Sequence, residues 1–244
     1  FNYPKGKLPL SKAGGGRGWA GNWQVAPLAK LPAGDDGALT ISDDHIGTLG
    51  AVKTEGQTML EADPTFGSRM RKLAHPVQMD RDGIYYLSAM VRWEIPPDQM
   101  QPKEWRYLRV VLRSSADYMG DRVMLTLPPN LKPQLQTADG INFNSPTPVR
   151  VNEAQFWCAK IIARADGEDE ISFRIYGEND VLDFTEPATW HVTTRGVRSN
   201  AVLDLLVLAS GGSCTAWFDR VRLGTSWRAI VPPELATPGP APTK

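Results

Sequence analysis

The chain has 244 residues, 41% of them hydrophobic and 22% charged, with 27 basic residues balancing 27 acidic ones. That length suits one large β-sandwich, and a chain of this size buries roughly 70% of its unfolded surface without staples. With zero net charge the composition lacks the electrostatic footprint of a nucleic-acid binder and the polybasic segment of an anionic-membrane binder.

No apolar run approaches the roughly 18–20 residues that span a bilayer. The longest, residues 201–209, is interrupted by Asp204 and reads as a buried strand, so no membrane insertion is expected. The sequence opens on Phe1 rather than Met, as expected of a processed form or an excised piece.

In chain order, short runs rich in Val, Ile, Leu, Tyr and Trp are punctuated by 22 glycines and 20 prolines, with almost no helical periodicity. This is the pattern of an all-β sandwich or barrel. Residues 83–95 place Tyr85, Leu87, Ala89, Val91, Trp93 and Ile95 on one thoroughly apolar face. Residues 105–113 alternate likewise, with Leu108, Val110 and Leu112 toward the core and Trp105, Tyr107, Arg109, Val111 and Arg113 opposite. Residues 121–127 make a further strand, and the Pro-rich stretch 128–148 reads as a crossover with little structure of its own. Strands at 156–165 and 170–176 flank Asp166-Gly167, a hairpin signal. Two more, 201–209 and 214–223, flank a Ser-Gly-Gly-Ser turn. The expected division is a sandwich over residues 1–230 and a stiff Pro-rich tail or linker over 231–244.

The two ends carry a recognisable pattern. FNYPKGKL followed by GGGRGWAGNW, and AWFDRVRLGTSWRAIVP near the C-terminus, resemble the opening and closing segments of concanavalin A-like (laminin G-like) modules. Such modules occur in planctomycete-type bacterial surface and anti-sigma-factor-like proteins. Between the ends, FWCAKIIARADGEDEISFRIYGEND resembles their central hairpin, so the likeness spans residues 1 to about 232. It implies an all-β, two-sheet antiparallel jelly roll, and an extracytoplasmic location. The first and last strands of such a fold often lie side by side, which pairs residues 1–8 with 217–223. Trp19, Trp23 and Trp227 are then apolar plugs near the seam.

Related sandwiches hold a structural Ca²⁺ with an Asp at the start of the last strand and backbone carbonyls of the first. Here the resemblance implies Asp219, Asn2 and the carbonyl of Gly6, with Asn2 standing where Asp is common. Sugar-binding sandwiches stack exposed aromatics on pyranose rings. Trp105, Tyr107, Arg109, Arg113 and Tyr118 form a candidate platform, with Tyr86 and Arg92 on the polar face of the preceding run.

Other chemistry finds less support. The glucanases of this fold class use Glu-x-Asp-x-x-Glu on a strand, whereas Glu178-Asn179-Asp180-Val181-Leu182-Asp183 ends in Asp and sits where a loop is expected. The cluster Glu168, Asp169, Glu170 reads as solvated charge on a hairpin tip. His45, His75 and His191 show no zinc-binding spacing. The glycines at 14–16 and 18 lack the Lys-Ser/Thr ending of a phosphate loop and read as a turn, and no Gly-x-Ser-x-Gly elbow occurs. Cys158 and Cys214 are either two buried thiols or one disulfide. The expectation is a non-catalytic recognition module with a glycan or another protein domain as partner. The alternatives are a glycoside hydrolase or lyase of the same fold, and a structural spacer.

Overall fold

The computed structural model describes residues 3, 5–27, 39–42, 46–49, 52–53, 58–61, 66–96, 106–120, 122–137, 140–212 and 214–236. Strand accounts for 51% and helix for 5%, so the fold is all-β. In chain order the first strands are β1 (Gly6–Leu8), β2 (Gln24–Val25), β3 (Leu39–Ser42), β4 (Thr48–Leu49), β5 (Val52–Lys53) and β6 (Thr58–Glu61). Then come β7 (Phe66–Gln78), β8 (Gly83–Glu94), β9 (Tyr107–Arg113), β10 (Arg122–Leu127), β11 (Gln134–Gln136) and β12 (Asn142–Asn144). The last are β13 (Ala154–Ala163), β14 (Glu170–Tyr176), β15 (Val192–Thr193), β16 (Val202–Gly211) and β17 (Thr215–Gly224), followed by the single-turn helix α1 (Trp227–Ile230).

Two antiparallel sheets stack as a jelly roll. One has eight strands in the order β1-β3-β6-β17-β8-β13-β14-β15, the other seven in the order β12-β11-β10-β9-β16-β7-β2. The core between them follows from period-2 alternation. The eight-stranded sheet contributes Leu87, Val91, Trp93, Trp157, Ile161 and Phe173; the seven-stranded sheet contributes Leu108, Val110, Leu112, Leu125, Leu206 and Leu208. Trp157 meets Phe173 edge-on at 5.4 Å, and its indole N–H donates to Gln155 Oε1 at 2.8 Å, so its polar atom is satisfied in the dry interior.

The eight-stranded sheet is buried on its outer face as well. Tyr86, Met90, Phe156, Cys158, Tyr176 and Trp217 pack there against Trp227, Ile230 and Val231 from the C-terminal segment and Ile46 and Leu49 beside the β4–β5 hairpin. This is why β8 and β13 carry few polar residues: both of their faces need apolar side chains. The outer face of the seven-stranded sheet is mixed, with polar side chains around a small buried group of Ala26, Val111, Met124 and Val207.

Several expectations change. β1 and β17 share a sheet but are not neighbours, because β3 and β6 lie between them. The stretch 128–148 is no bare crossover: it supplies β11 and β12, the edge of the seven-stranded sheet. Strand β7, rich in Arg and Lys and containing Pro76, was hidden by its lack of alternation. Asp169 is buried, not solvated, because its carboxylate accepts from the Arg164 amide at 3.0 Å and the Ser199 amide at 2.9 Å, tying two loops together. Packing continues past residue 230, where Val231 joins the outer cluster and Pro233–Ala236 forms a 3₁₀ turn.

The two cysteines occupy opposite sides of the eight-stranded sheet, Cys214 in the inter-sheet core and Cys158 in the outer cluster, and both are free and buried. Burial pushes both thiols up and keeps them protonated. A thiol reagent such as Ellman's reagent is therefore expected to label neither cysteine in the folded protein and both in denaturant. Zero thiols in denaturant would mean a disulfide.

Candidate functional site

Alternation on β9 sends Leu108, Val110 and Leu112 into the core and Tyr107, Arg109, Val111 and Arg113 outward. The register of the sheet extends this outer surface into rows. One row runs Ser68–Ala209–Arg109–Thr126–Gln134–Asn144 across β7, β16, β9, β10, β11 and β12. The next runs Met70–Val207–Val111–Met124–Gln136–Asn142, and the third Lys72–Leu205–Arg113–Arg122. Amides thus occupy the β11–β12 edge, arginines the centre, and small or apolar residues the β16 side. Gln134 Nε2 donates to Asn144 Oδ1 at 2.8 Å, which orients part of the amide edge.

The turn between β9 and β10 folds Tyr118 over this surface. The Arg113 guanidinium lies 4.5 Å from the Tyr118 ring and donates to the Tyr118 carbonyl; Arg122 donates to the Met119 carbonyl. Arg109 lies 3.9 Å from the Tyr107 ring. At the β16 end, Asp204 accepts from the Ser115 amide and hydroxyl, both at 2.7 Å, and pairs with Lys72 at 3.5 Å, clamping the same turn.

Burial holds the guanidinium pKa of Arg109 and Arg113 below its ordinary value. Their aromatic neighbours Tyr107 and Tyr118 oppose that, while the other arginines of the cluster add to it. Among the described residues, no carboxylate acts on either. The Nε atoms of Arg109, Arg113 and Arg122 and the Oγ1 of Thr126 are buried and have no hydrogen-bond partner among the described residues. Arg113 is only 8% exposed and Thr126 only 1%. Four such atoms lie on this surface, as others lie elsewhere in the fold, the Nε of Arg92 and of Arg174 among them.

The residues expected from sequence are thereby sorted. Tyr107, Arg109, Arg113 and Tyr118 come together. Trp105, like Asn2 and His45, lies outside the described residues. Tyr86 and Arg92 do not join them, because β8 and β9 are consecutive in sequence but belong to different sheets. The Tyr86 hydroxyl donates to Glu186 Oε2 at 2.7 Å, and Lys160 holds Oε1 of the same carboxylate at 2.6 Å. Burial, together with the Glu186 carboxylate, pushes the Tyr86 hydroxyl pKa up. Arg92 is paired with Glu94 at 2.6 Å. Sequence reasoning missed Arg122, Thr126, Gln134, Gln136, Asn142 and Asn144. The triplets Gln134-Leu135-Gln136 and Asn142-Phe143-Asn144 carried the signal, being polar–apolar–polar with the middle residue inward.

The expected calcium ligands do not fit. Gly6, Ile41, Met59 and Phe218 lie in register across four strands, so the Gly6 carbonyl and the neighbouring Asp219 are about 14 Å apart at sheet spacing. Calcium needs its oxygens at roughly 2.3–2.6 Å. No group of three acidic, His or Cys side chains among the described residues is placed to hold a metal. The run Glu178–Asp183 is a loop, as expected, with Asp180 accepting from the Gly177 amide at 2.8 Å and Asp183 from the Thr185 amide at 2.6 Å. His191 is structural, its Nδ1 accepting from the Ile175 amide at 3.1 Å.

No family model matches the chain, and no curated protein matches it. Solved structures do. An endo-β-1,4-glucuronan lyase from the fungus Trichoderma reesei is similar over 88% of this chain and 94% of its own, at 10% identity and a TM-score of 0.55. An endo-1,3-β-glucanase from Streptomyces sioyaensis is similar over 70% and 77% at 9% identity, with a TM-score of 0.46. A legume lectin-like domain from Entamoeba histolytica is similar over 74% and 88% at 10% identity, with a TM-score of 0.43. The likeness establishes the jelly-roll fold alone. Among the described residues, no helix is long and apolar enough to cross a membrane.

The Asp204 clamp gives a pH test. Burial alone would raise its carboxyl pKa, but the Ser115 hydroxyl and amide and the Lys72 charge outweigh that and hold it below the usual value. A depressed folded pKa stabilises the fold above the unfolded value of about 3.9, and that contribution is lost as pH falls through the folded one. Asp204→Ala is expected to lower stability by about 1 kcal/mol at pH 7. In urea titrations the gap to wild type should narrow toward pH 3; an equal gap at both pH values would contradict this.

Proposed function

We propose that the outer face of the seven-stranded sheet is a glycan-recognition surface and that the chain is a non-catalytic recognition module of an extracytoplasmic bacterial protein. The carrying observation is that Tyr107 and Tyr118, three arginines and the amide rows share one surface, with two of the arginines stacked on the tyrosine rings. A pyranose ring presents an apolar C–H face for an aromatic ring and equatorial hydroxyls for amides, which both donate and accept. A sheet edge bearing Gln134, Gln136, Asn142 and Asn144 suits such hydroxyls.

The structure similar at a TM-score of 0.55 is an endo-β-1,4-glucuronan lyase, which supports a carbohydrate ligand for this fold. Hydrolysis is disfavoured, because a glycosidase needs two carboxyl groups roughly 5–10 Å apart. The three rows contain no carboxylate, and Asp204 beside them is engaged by Ser115 and Lys72. A spacer role leaves the unpartnered polar atoms unexplained. A lyase reading keeps the same surface and adds turnover.

Isothermal titration against a panel of soluble polysaccharides tests the proposal. At least one is expected to bind, and Tyr107→Ala with Tyr118→Ala should weaken it roughly tenfold, the loss of two aromatic contacts, while near-UV circular dichroism stays native-like. A panel with no binder would end the glycan reading.

A further inference from the structure

We infer that the ligand of this surface is an acidic polysaccharide, whose pendant oxyanions (uronate carboxylates or sulfate esters) lie on Arg109, Arg113 and Arg122 while its hydroxyls meet the flanking amides. The inference rests on the glycan reading and names the chemical class of the ligand.

The argument starts from register. Arg113 and Arg122 are directly opposite on adjacent strands, about 5 Å apart at Cα, a placement in which like charges destabilise a sheet. Arg109 lies on the same face of β9; it feels the charges of Arg113 and Arg122, Arg113 feels that of Arg122, and no carboxylate among the described residues acts on either. The chain as a whole is neutral, with 27 basic and 27 acidic residues, so this concentration of charge is local and not a by-product of composition.

One arginine of this protein is satisfied by backbone carbonyls. Arg71 is buried under Trp19 and Trp23, and its guanidinium donates to the Gly21 carbonyl at 2.8 Å and the Gly15 carbonyl at 2.5 Å, so that one side chain pins the glycine-rich loop. In the outer cluster Arg113 and Arg122 each give one Nη1 to a carbonyl of the 114–121 turn, which fixes the guanidinium plane. The Nε side of all three remains without an acceptor among the described residues. A guanidinium carries five N–H donors, so an oxyanion can take those that the turn carbonyls leave over. The floor beneath is apolar, made by Val111, Met124 and Val207, so a bound anion is poorly screened. A neutral glycan over the same surface would remove the arginines from water with nothing to neutralise them, which selects against it.

Affinity electrophoresis and titration calorimetry with polyglucuronate, polygalacturonate, dextran sulfate and neutral dextran decide the matter. The expected result is binding to at least one acidic polymer at least tenfold tighter than to dextran, weakening steeply from 50 to 300 mM NaCl. The uronate and sulfate arms identify the source of the oxyanion. Arg109→Gln and Arg122→Gln should each weaken acidic-polymer binding by tenfold or more, while Arg228→Gln, an exposed position on α1, which packs on the outer face of the other sheet, should leave it unchanged. Equal loss in all three variants would mean unspecific charge attraction and overturn the inference. Salt-insensitive binding of neutral dextran at equal strength would overturn it too and leave the glycan reading standing. No binding to any polymer would end both. Release of unsaturated uronate ends would support the acidic ligand and replace the non-catalytic reading with the lyase one.

Discussion

Like charges held side by side on a half-buried sheet face repel, and only an opposite charge from outside the cluster relieves them. That constraint organises the proposed site. The alternation of β9 makes it unavoidable: the strand that drives Leu108, Val110 and Leu112 into the core must turn Arg109 and Arg113 to the other side. The β9–β10 register then sets Arg122 directly opposite Arg113. The register fixes how close the two Cα atoms lie, because shifting it would break the ladder that carries the inter-sheet core.

The rest of the molecule holds that surface flat and polar. The eight-stranded sheet is covered on both faces, so it acts as the rigid side of the sandwich. The seven-stranded sheet is stiffened by β16, which pairs with β7 on one side and β9 on the other along most of its length. The Asp204 clamp fixes the turn that bears Tyr118, and Arg113 braces it from below. The side chains that would meet a ligand are therefore preorganised, which keeps the entropy lost on binding small.

Much of this was legible in the sequence where a residue's role depended only on its own strand. The alternation of residues 83–95 and of the described part of 105–113 gave the core face, and Tyr107, Arg109, Arg113 and Tyr118 lie on one outer surface. What failed depended on which strands become neighbours. Adjacency of the two runs in sequence puts Tyr86 and Arg92 beside β9, yet β8 and β9 fall in opposite sheets. The pairing of the chain ends failed for the same reason, since β3 and β6 intervene and separate Asp219 from Gly6. β11 and β12 were lost because three-residue strands among prolines carry little periodicity. β7 was lost because its arginines mask an inward row that includes a cation held by backbone carbonyls.

The most direct test of an uncompensated arginine cluster is the stability of the ligand-free protein when one charge is removed. Arg109→Met keeps the aliphatic stem and deletes the guanidinium. If the cluster awaits an external anion, urea denaturation at low salt should find this variant within about 0.5 kcal/mol of wild type or more stable, with any gain shrinking as salt screens the repulsion. A loss of about 3 kcal/mol or more, the signature of a broken buried ion pair, would show that Arg109 already has its counter-charge within the fold and would contradict the account.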